Sequence, residues 1–142
     1  VLKEGGEVWL KLPYGELFEL GHDITNTVFI SGGTGITPYL SLFCDSSFSS
    51  YKKPVLYAGY RNKDFNIYKT ELEKASKINP EFIIKNVYED ENGMLNIEKI
   101  FKENGNIASY FISGPPVMIT KFKQQLLSFG VLESNIYTDE WE

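Results

Sequence analysis

The run Val28-Phe29-Ile30-Ser31-Gly32-Gly33-Thr34-Gly35-Ile36-Thr37-Pro38 limits the possible folds of this chain more than any other. A β-branched and aromatic stretch predicts a buried strand, glycines then break it, and a proline opens a helix. Glycine lets the backbone turn sharply and approach a ligand closely, because no Cβ intervenes. The first N–H groups of a helix have no intrahelical partner, and the helix dipole favours an anion there. Strand, glycine loop and helix in this order predict a cradle for the pyrophosphate of a dinucleotide. The spacing is Gly33-x-Gly35-x-x-Pro38, with proline where the usual fingerprint has its third glycine. A purely structural turn uses the same residues, so the motif gains weight from a second one about eighty residues later.

Composition removes several alternatives. With 142 residues, 42% of them hydrophobic and 15% aromatic, the chain can build one core and is not a disordered segment. Its net charge is −5 and its fourteen Lys and Arg residues are scattered, so no basic face for nucleic acid is expected. No apolar stretch approaches ~18 residues, so no membrane span is expected. No secretory signal opens the chain, which makes the cytoplasm the expected location. It starts on Val1, and further residues upstream are expected. The single cysteine, Cys44, excludes an internal disulfide framework or a cysteine-held cluster, and no metal site is predicted.

Along the chain, Glu7–Leu12 reads as a strand ending in the turn Pro13-Tyr14-Gly15, followed by the apolar stretch Leu17–Leu20. The link Gly21-His22-Asp23 separates this part from the rest. Strands are then predicted at Thr27–Ser31, Pro54–Tyr60, Phe82–Val87, Ser109–Ser113 and Asn135–Thr138. Between them lie predicted helices at Thr37–Cys44, Phe65–Lys77, Ile97–Lys102 and Pro116–Phe129, and a serine-rich loop at Asp45–Ser50. Asn96 is the expected cap of the third helix, and Gly105 its stop. Alternating strands and helices imply an α/β fold, a five-stranded parallel doubly wound sheet with right-handed crossovers. Ligands of such sheets bind beyond the carboxyl ends of the strands, where strand order reverses. Three predicted strand ends carry unusual residues: Gly32–Pro38, Gly59–Asn62 and Ser113–Met118.

Taken together, these segments resemble the nicotinamide-dinucleotide-binding domain of the ferredoxin–NADP reductase family. Gly32-Gly33-Thr34-Gly35-Ile36-Thr37-Pro38 is similar to the family's pyrophosphate loop. Leu56-Tyr57-Ala58-Gly59-Tyr60-Arg61, with Tyr68-Lys69-Thr70-Glu71-Leu72, is similar to its second βα unit. Ile112-Ser113-Gly114-Pro115-Pro116-Val117-Met118 matches its Cys-Gly-Pro-Pro-x-Met motif except at the first position. Residues 6–18 resemble the last strands of the preceding flavin barrel. The resemblance therefore divides the chain into a barrel tail with a remnant hairpin, residues 1–24, and an NAD(P)-binding domain, residues 25–142. The family's flavin-binding Arg-x-Tyr-Ser and Gly-x-x-Ser segments are absent from these residues, so FAD is expected only in a longer polypeptide.

The resemblance implies hydride transfer from NAD(P)H to a flavin held by another domain of the same polypeptide. Electrons then pass to an iron–sulfur or haem protein. Gly33, Thr34, Gly35, Ile36, Thr37 and Pro38 are the expected pyrophosphate loop. Ser113, Gly114, Pro115, Pro116 and Met118 are the expected nicotinamide pocket, with Ser113 where the family carries a cysteine beside the hydride-donating carbon. Pro115 and Pro116 also serve as strand stop and helix start, and Met118 serves equally as a core filler. Tyr60, Arg61 and Asn62 are expected at the adenosine end. No acid stands directly after the second strand, and Arg61 with Lys63 would tolerate a 2′-phosphate, a slight lean toward NADP. Trp141 is expected against the flavin, with Glu140 or Asp139 assisting protons, the register between them being open by one residue. The competing expectation is a non-catalytic module that senses or stores the nucleotide, Ser113 marking lost catalysis.

Overall fold

The computed structural model describes residues 24–140, the side chain of Glu140 excepted, and sets five strands side by side in one parallel sheet. They are β1 (Thr27–Gly32), β2 (Val55–Tyr60), β3 (Ile83–Tyr88), β4 (Ser109–Gly114) and β5 (Ile136–Glu140). Their spatial order is β3-β2-β1-β4-β5. The chain builds outward from β1 to β3, then crosses back to lay β4 and β5 on the other side of β1. Strand order therefore reverses between β1 and β4, where Ser31 and Ser113 are register partners. This is the α/β sheet that the alternating pattern predicts.

Helices α1 (Thr37–Phe43) and α2 (Lys69–Ile78) cover one face, and α3 (Ile97–Asn104) and α4 (Pro116–Ser128) the other. Strand side chains alternate between the two. Phe29, Leu56 and Phe111 join Tyr39, Phe43, Phe48 and Phe82 in an aromatic layer. The Phe29 ring stacks on Phe111 at 5.3 Å and meets Phe43 edge-on at 5.0 Å. Val28, Ile30, Tyr110 and Ile112 face Ile97, Ile100, Ile119, Phe122 and Leu126 in a more aliphatic layer. Each such side chain removed from water stabilises the fold by about 1.5–3 kcal/mol, before the entropy of ordering it is counted. Covered on both faces, β1 and β4 are buried along their whole length, whereas the edge strand β3 is largely open.

Several elements depart from the sequence reading for local reasons. The helix predicted from Phe65 begins at Lys69. Asn62 Oδ1 accepts from the Asp64 N–H at 2.9 Å and folds Lys63–Phe65 into a 3-10 turn. Asn66 Nδ2 then donates to Tyr88 Oη at 2.9 Å, which ties this segment to β3 instead of to the helix. The serine-rich loop holds a 3-10 turn, Ser46–Ser50, that buries Phe48 in the aromatic layer. A single helical turn, Glu89–Asn92, follows β3 where no element was expected. Asn96 caps α3 as expected, accepting from the Lys99 N–H at 3.1 Å, and Gly105 ends it. Strand β5 runs two residues beyond the predicted Thr138. The expected barrel tail, apart from Ile24, and Trp141 lie outside the described residues. Among the described residues no helix is long and apolar enough to cross a membrane.

Candidate functional site

At the carboxyl ends of β1 and β4 two glycine motifs close on one another. After β1, Gly33–Ile36 forms a 3-10 turn that runs directly into α1, with Pro38 in the first helical turn, where its missing N–H costs nothing. Gly33, Thr34 and Thr37 are exposed at the mouth of this loop, whereas Gly35 and Ile36 are buried. The Thr37 hydroxyl donates to the Thr34 carbonyl oxygen at 2.9 Å, so its proton braces the loop. A Cβ on Gly35 would stand 2.9 Å from Gly114 Cα and closer still to the Ser113 carbonyl oxygen. Only glycine permits this approach of loop to strand.

Beyond β4, Gly114 adopts φ +155°, which a residue with a side chain rarely reaches. A Cβ there would meet Met118 Cε at 2.8 Å and the Gly32 backbone at 3.3 Å. Met118 thus fills the space between the two glycine motifs. Pro115 is extended, with φ −60° and ψ 142°, and Pro116 is the first residue of α4. Proline stops the strand here and starts the helix without losing a hydrogen bond.

Beneath these loops a polar row crosses three strands. Ser31, Ser113 and Asp139 occupy one register line on β1, β4 and β5 and are buried, at 1%, 0% and 6% exposure. Ser31 Oγ, Ser113 Oγ and Asp139 Oδ2 have no hydrogen-bond partner among the described residues. Buried polar atoms are nearly always paired, so three orphans in one row mark a place built for something other than packing. Burial raises the Asp139 carboxyl above its ordinary value, and the Ser113 hydroxyl offsets part of the rise without completing a hydrogen bond of normal geometry. Nearby, Tyr39 Oη donates to the Ile30 carbonyl oxygen at 3.1 Å. Burial, and then the charge of Asp139, push the Tyr39 phenol well above its usual range. Along the β4–β5 ladder Asp139 pairs with Ser113, and Glu140 with Gly114.

The predicted adenosine-end residues stand at the end of the neighbouring strand β2. Tyr60 is buried, its ring stacks on Tyr88 at 5.7 Å, and its hydroxyl has no partner. Burial, with a smaller contribution from Tyr88, pushes its pKa up to about 12. The Arg61 guanidinium lies 5.8 Å from the centre of the Phe65 ring, and Asn62 is engaged in its own turn. Sequence reading missed the polar row, because strand register, and not spacing, aligns its members.

Comparison with known proteins agrees with this geometry. The family model described as the oxidoreductase NAD-binding domain matches residues 29–124, which include most of β1, the glycine loop and most of α4. The chain is 29% identical over 147 residues to the flavohemoprotein of Rhizobium meliloti, covering 94% of this chain and 36% of that protein. It is 28% identical over 156 residues to one component of the Na(+)-translocating NADH-quinone reductase of Haemophilus influenzae, covering 99% and 38%. The flavohemoglobin of Malassezia yamatoensis superposes with a TM-score of 0.74 at 20% identity, over 89% of this chain and 34% of that one. The ferredoxin-NADP+ reductase of Plasmodium falciparum does so at 0.65 and 23%, over 83% and 52%. The chain thus spans little more than a third of the length of these curated relatives. With its strand order, its paired glycine motifs and this family match, the chain belongs to the oxidoreductase NAD-binding domain family, the nucleotide domain of ferredoxin–NADP reductases.

Proposed function

We propose that this domain binds a nicotinamide dinucleotide across the β1–β4 junction and presents it to a flavin held by another domain of a longer polypeptide. The observation that carries the reading is the convergence of the Gly35 loop, the Gly114 turn and the orphaned Ser31–Ser113–Asp139 row where strand order reverses. The exposed backbone of Gly33 and Thr34 is the proposed seat of the pyrophosphate, and Ile36, Thr37 and Pro38 hold that turn in shape. Gly114, Pro115 and Pro116 leave a flat wall for the nicotinamide ring, with Met118 as its packed support. The nicotinamide, when bound, supplies a hydride, and the flavin passes electrons on singly. Glu140, the last residue of β5, and Trp141, which follows it in the sequence, are the proposed contacts to the flavin side. Relatives that are a flavohemoprotein and a component of a quinone reductase support an electron-transfer partner of haem or iron–sulfur type. On its own the chain is expected to bind nucleotide and turn nothing over.

The test is stopped-flow reduction of the flavin in the full-length polypeptide. Mixing with reduced nicotinamide should bleach the oxidised flavin, and Ser113→Cys should speed that step, because a thiol is larger and more polarisable than the buried hydroxyl and packs more readily beside the ring. Nucleotide binding without any bleaching would return the chain to a sensing or storage module.

A further inference from the structure

The adenosine end of the site, on the dinucleotide reading above, carries a charge pattern that spacing along the sequence conceals. Arg61 and Lys63 are the cations that would accommodate a 2′-phosphate, and both are already engaged. Lys63 Nζ pairs with Glu91 Oε2 at 3.4 Å, and the Arg61 guanidinium lies over the Phe65 ring. Glu91 belongs to the helical turn that starts immediately after β3, whose first three residues are Glu89, Asp90 and Glu91, all exposed. Tyr60 and Tyr88 are register partners with stacked rings, so the ends of β2 and β3 lie side by side. The acid missing from the end of β2 is therefore supplied by the adjacent strand, about thirty residues later in the chain.

Two further groups at this end await a partner. Tyr60 Oη, on a residue 3% exposed, and Asn66 Oδ1, on a residue 6% exposed, make no hydrogen bond among the described residues. A phenol can donate or accept, and an amide oxygen can only accept. A ribose hydroxyl or an adenine amino group offers the donor that Asn66 Oδ1 lacks, whereas an ionised phosphate offers none. The segments Arg61–Asp64 and Glu89–Glu91, joined by the Lys63–Glu91 pair, carry four carboxylates and two cations, a net negative charge that opposes a dianion. Because the Lys63–Glu91 pair is exposed and individually weak, the discrimination comes from the summed field and not from that bond.

We propose that this chain selects a dinucleotide without a 2′-phosphate, NADH over NADPH, through Glu89, Asp90 and Glu91 at the end of β3. In dinucleotide-binding sheets the acid that accepts from the ribose hydroxyls stands at the end of the second strand; here the turn after the neighbouring β3 supplies the carboxylates. The selection reverses the lean toward NADP that Arg61 and Lys63 suggest when the sequence is read linearly.

Calorimetric titration of the 142-residue chain at low ionic strength, with 5′-AMP and separately with 2′,5′-ADP, which differ only by the 2′-phosphate, tests this. The expected result is Kd at least about tenfold lower for 5′-AMP. In the triple variant Glu89→Gln/Asp90→Asn/Glu91→Gln the ratio of the two Kd values should fall by about tenfold. Equal or tighter binding of 2′,5′-ADP to the wild type overturns the proposal. A ratio that the triple variant leaves unmoved, with an unchanged thermal melt, overturns its assignment to these carboxylates. Binding of neither nucleotide removes the dinucleotide reading itself, and the selection with it.

Discussion

The two halves of the sheet's carboxyl edge are built on opposite principles. At the β1–β4 end, Gly35 lies against the backbone of Ser113 and Gly114, and the polar row beneath is closed to water. At the β2–β3 end, Lys63, Glu89, Asp90 and Glu91 stand in solvent on a 3-10 turn and a single helical turn. The first end is shaped by contact and cannot adjust. The second is shaped by charge and can be retuned by single substitutions without touching the core. On the proposed reading, a site divided this way would keep the common part of a dinucleotide in rigid geometry and leave discrimination to surface electrostatics.

Glycine substitutions give the largest expected difference between the two ends. Gly35→Ala drives a methyl into main-chain atoms of β4, which cannot rotate away. The expected loss is about 3 kcal/mol, the upper range for overpacking, together with loss of nucleotide binding. Gly59→Ala, on β2, meets only the side-chain carbons of Leu95, at 2.8 Å. A leucine can shift its rotamer, and the unfolded chain loses freedom, so the expected change is within about 1 kcal/mol of zero. Urea midpoints at constant m-value measure both. Equal losses at the two positions would break the contrast between rigid and adjustable ends.

The next effect in size concerns Asp139. Its carboxyl is raised by burial, so the folded chain holds that proton more tightly than the unfolded chain does. The sign follows directly. The group's contribution is fully present below the ordinary carboxylate range near ~4, and it is lost as pH rises through the raised folded value. At neutral pH an ionised Asp139 therefore weighs against the fold. Asp139→Asn should raise Tm by a few degrees at pH ~7 and lose that advantage below pH ~4. A gain equal at both pH values would mean that packing, not ionisation, sets the cost. Because Ser113 shares the row, Ser113→Ala should deepen the pH dependence of the wild-type carboxylate by removing its neighbouring hydroxyl.

Features carried by glycine and proline were legible because those residues act locally. Gly33, Gly114 and Pro116 sit where their own backbone chemistry requires, and the strand pattern around them predicts the sheet. The Asn96 cap was legible for the same reason. What escaped depends on partners distant in sequence. Asn66 leaves the predicted helix because Tyr88, twenty-two residues away, takes its amide hydrogen bond. Phe48 looks like a loop residue until the aromatic layer of Phe43 and Phe82 surrounds it. Asp139 and Glu140 differ by one place in sequence but by a whole register line in the sheet. Likewise, the acidic run Glu89–Glu91 reads as an ordinary solvated loop until strand order sets it beside Arg61 and Lys63.

The smallest effects belong to that charged end, and salt separates them from everything above. Glu91→Gln removes one partner of an exposed pair, so its expected effect on stability is within about 0.5 kcal/mol. Its effect on nucleotide choice should be larger than its effect on folding, because Lys63 is released toward the ligand while one repelling carboxylate disappears. Between ~0.01 M and ~0.15 M salt the screening length falls from about 30 Å to about 8 Å. The preference for 5′-AMP over 2′,5′-ADP should shrink across that range, and the loss caused by Gly35→Ala should not, because steric overlap is not screened. A preference indifferent to salt would place the discrimination in shape at the β2–β3 end, and both ends of the sheet would then work by contact.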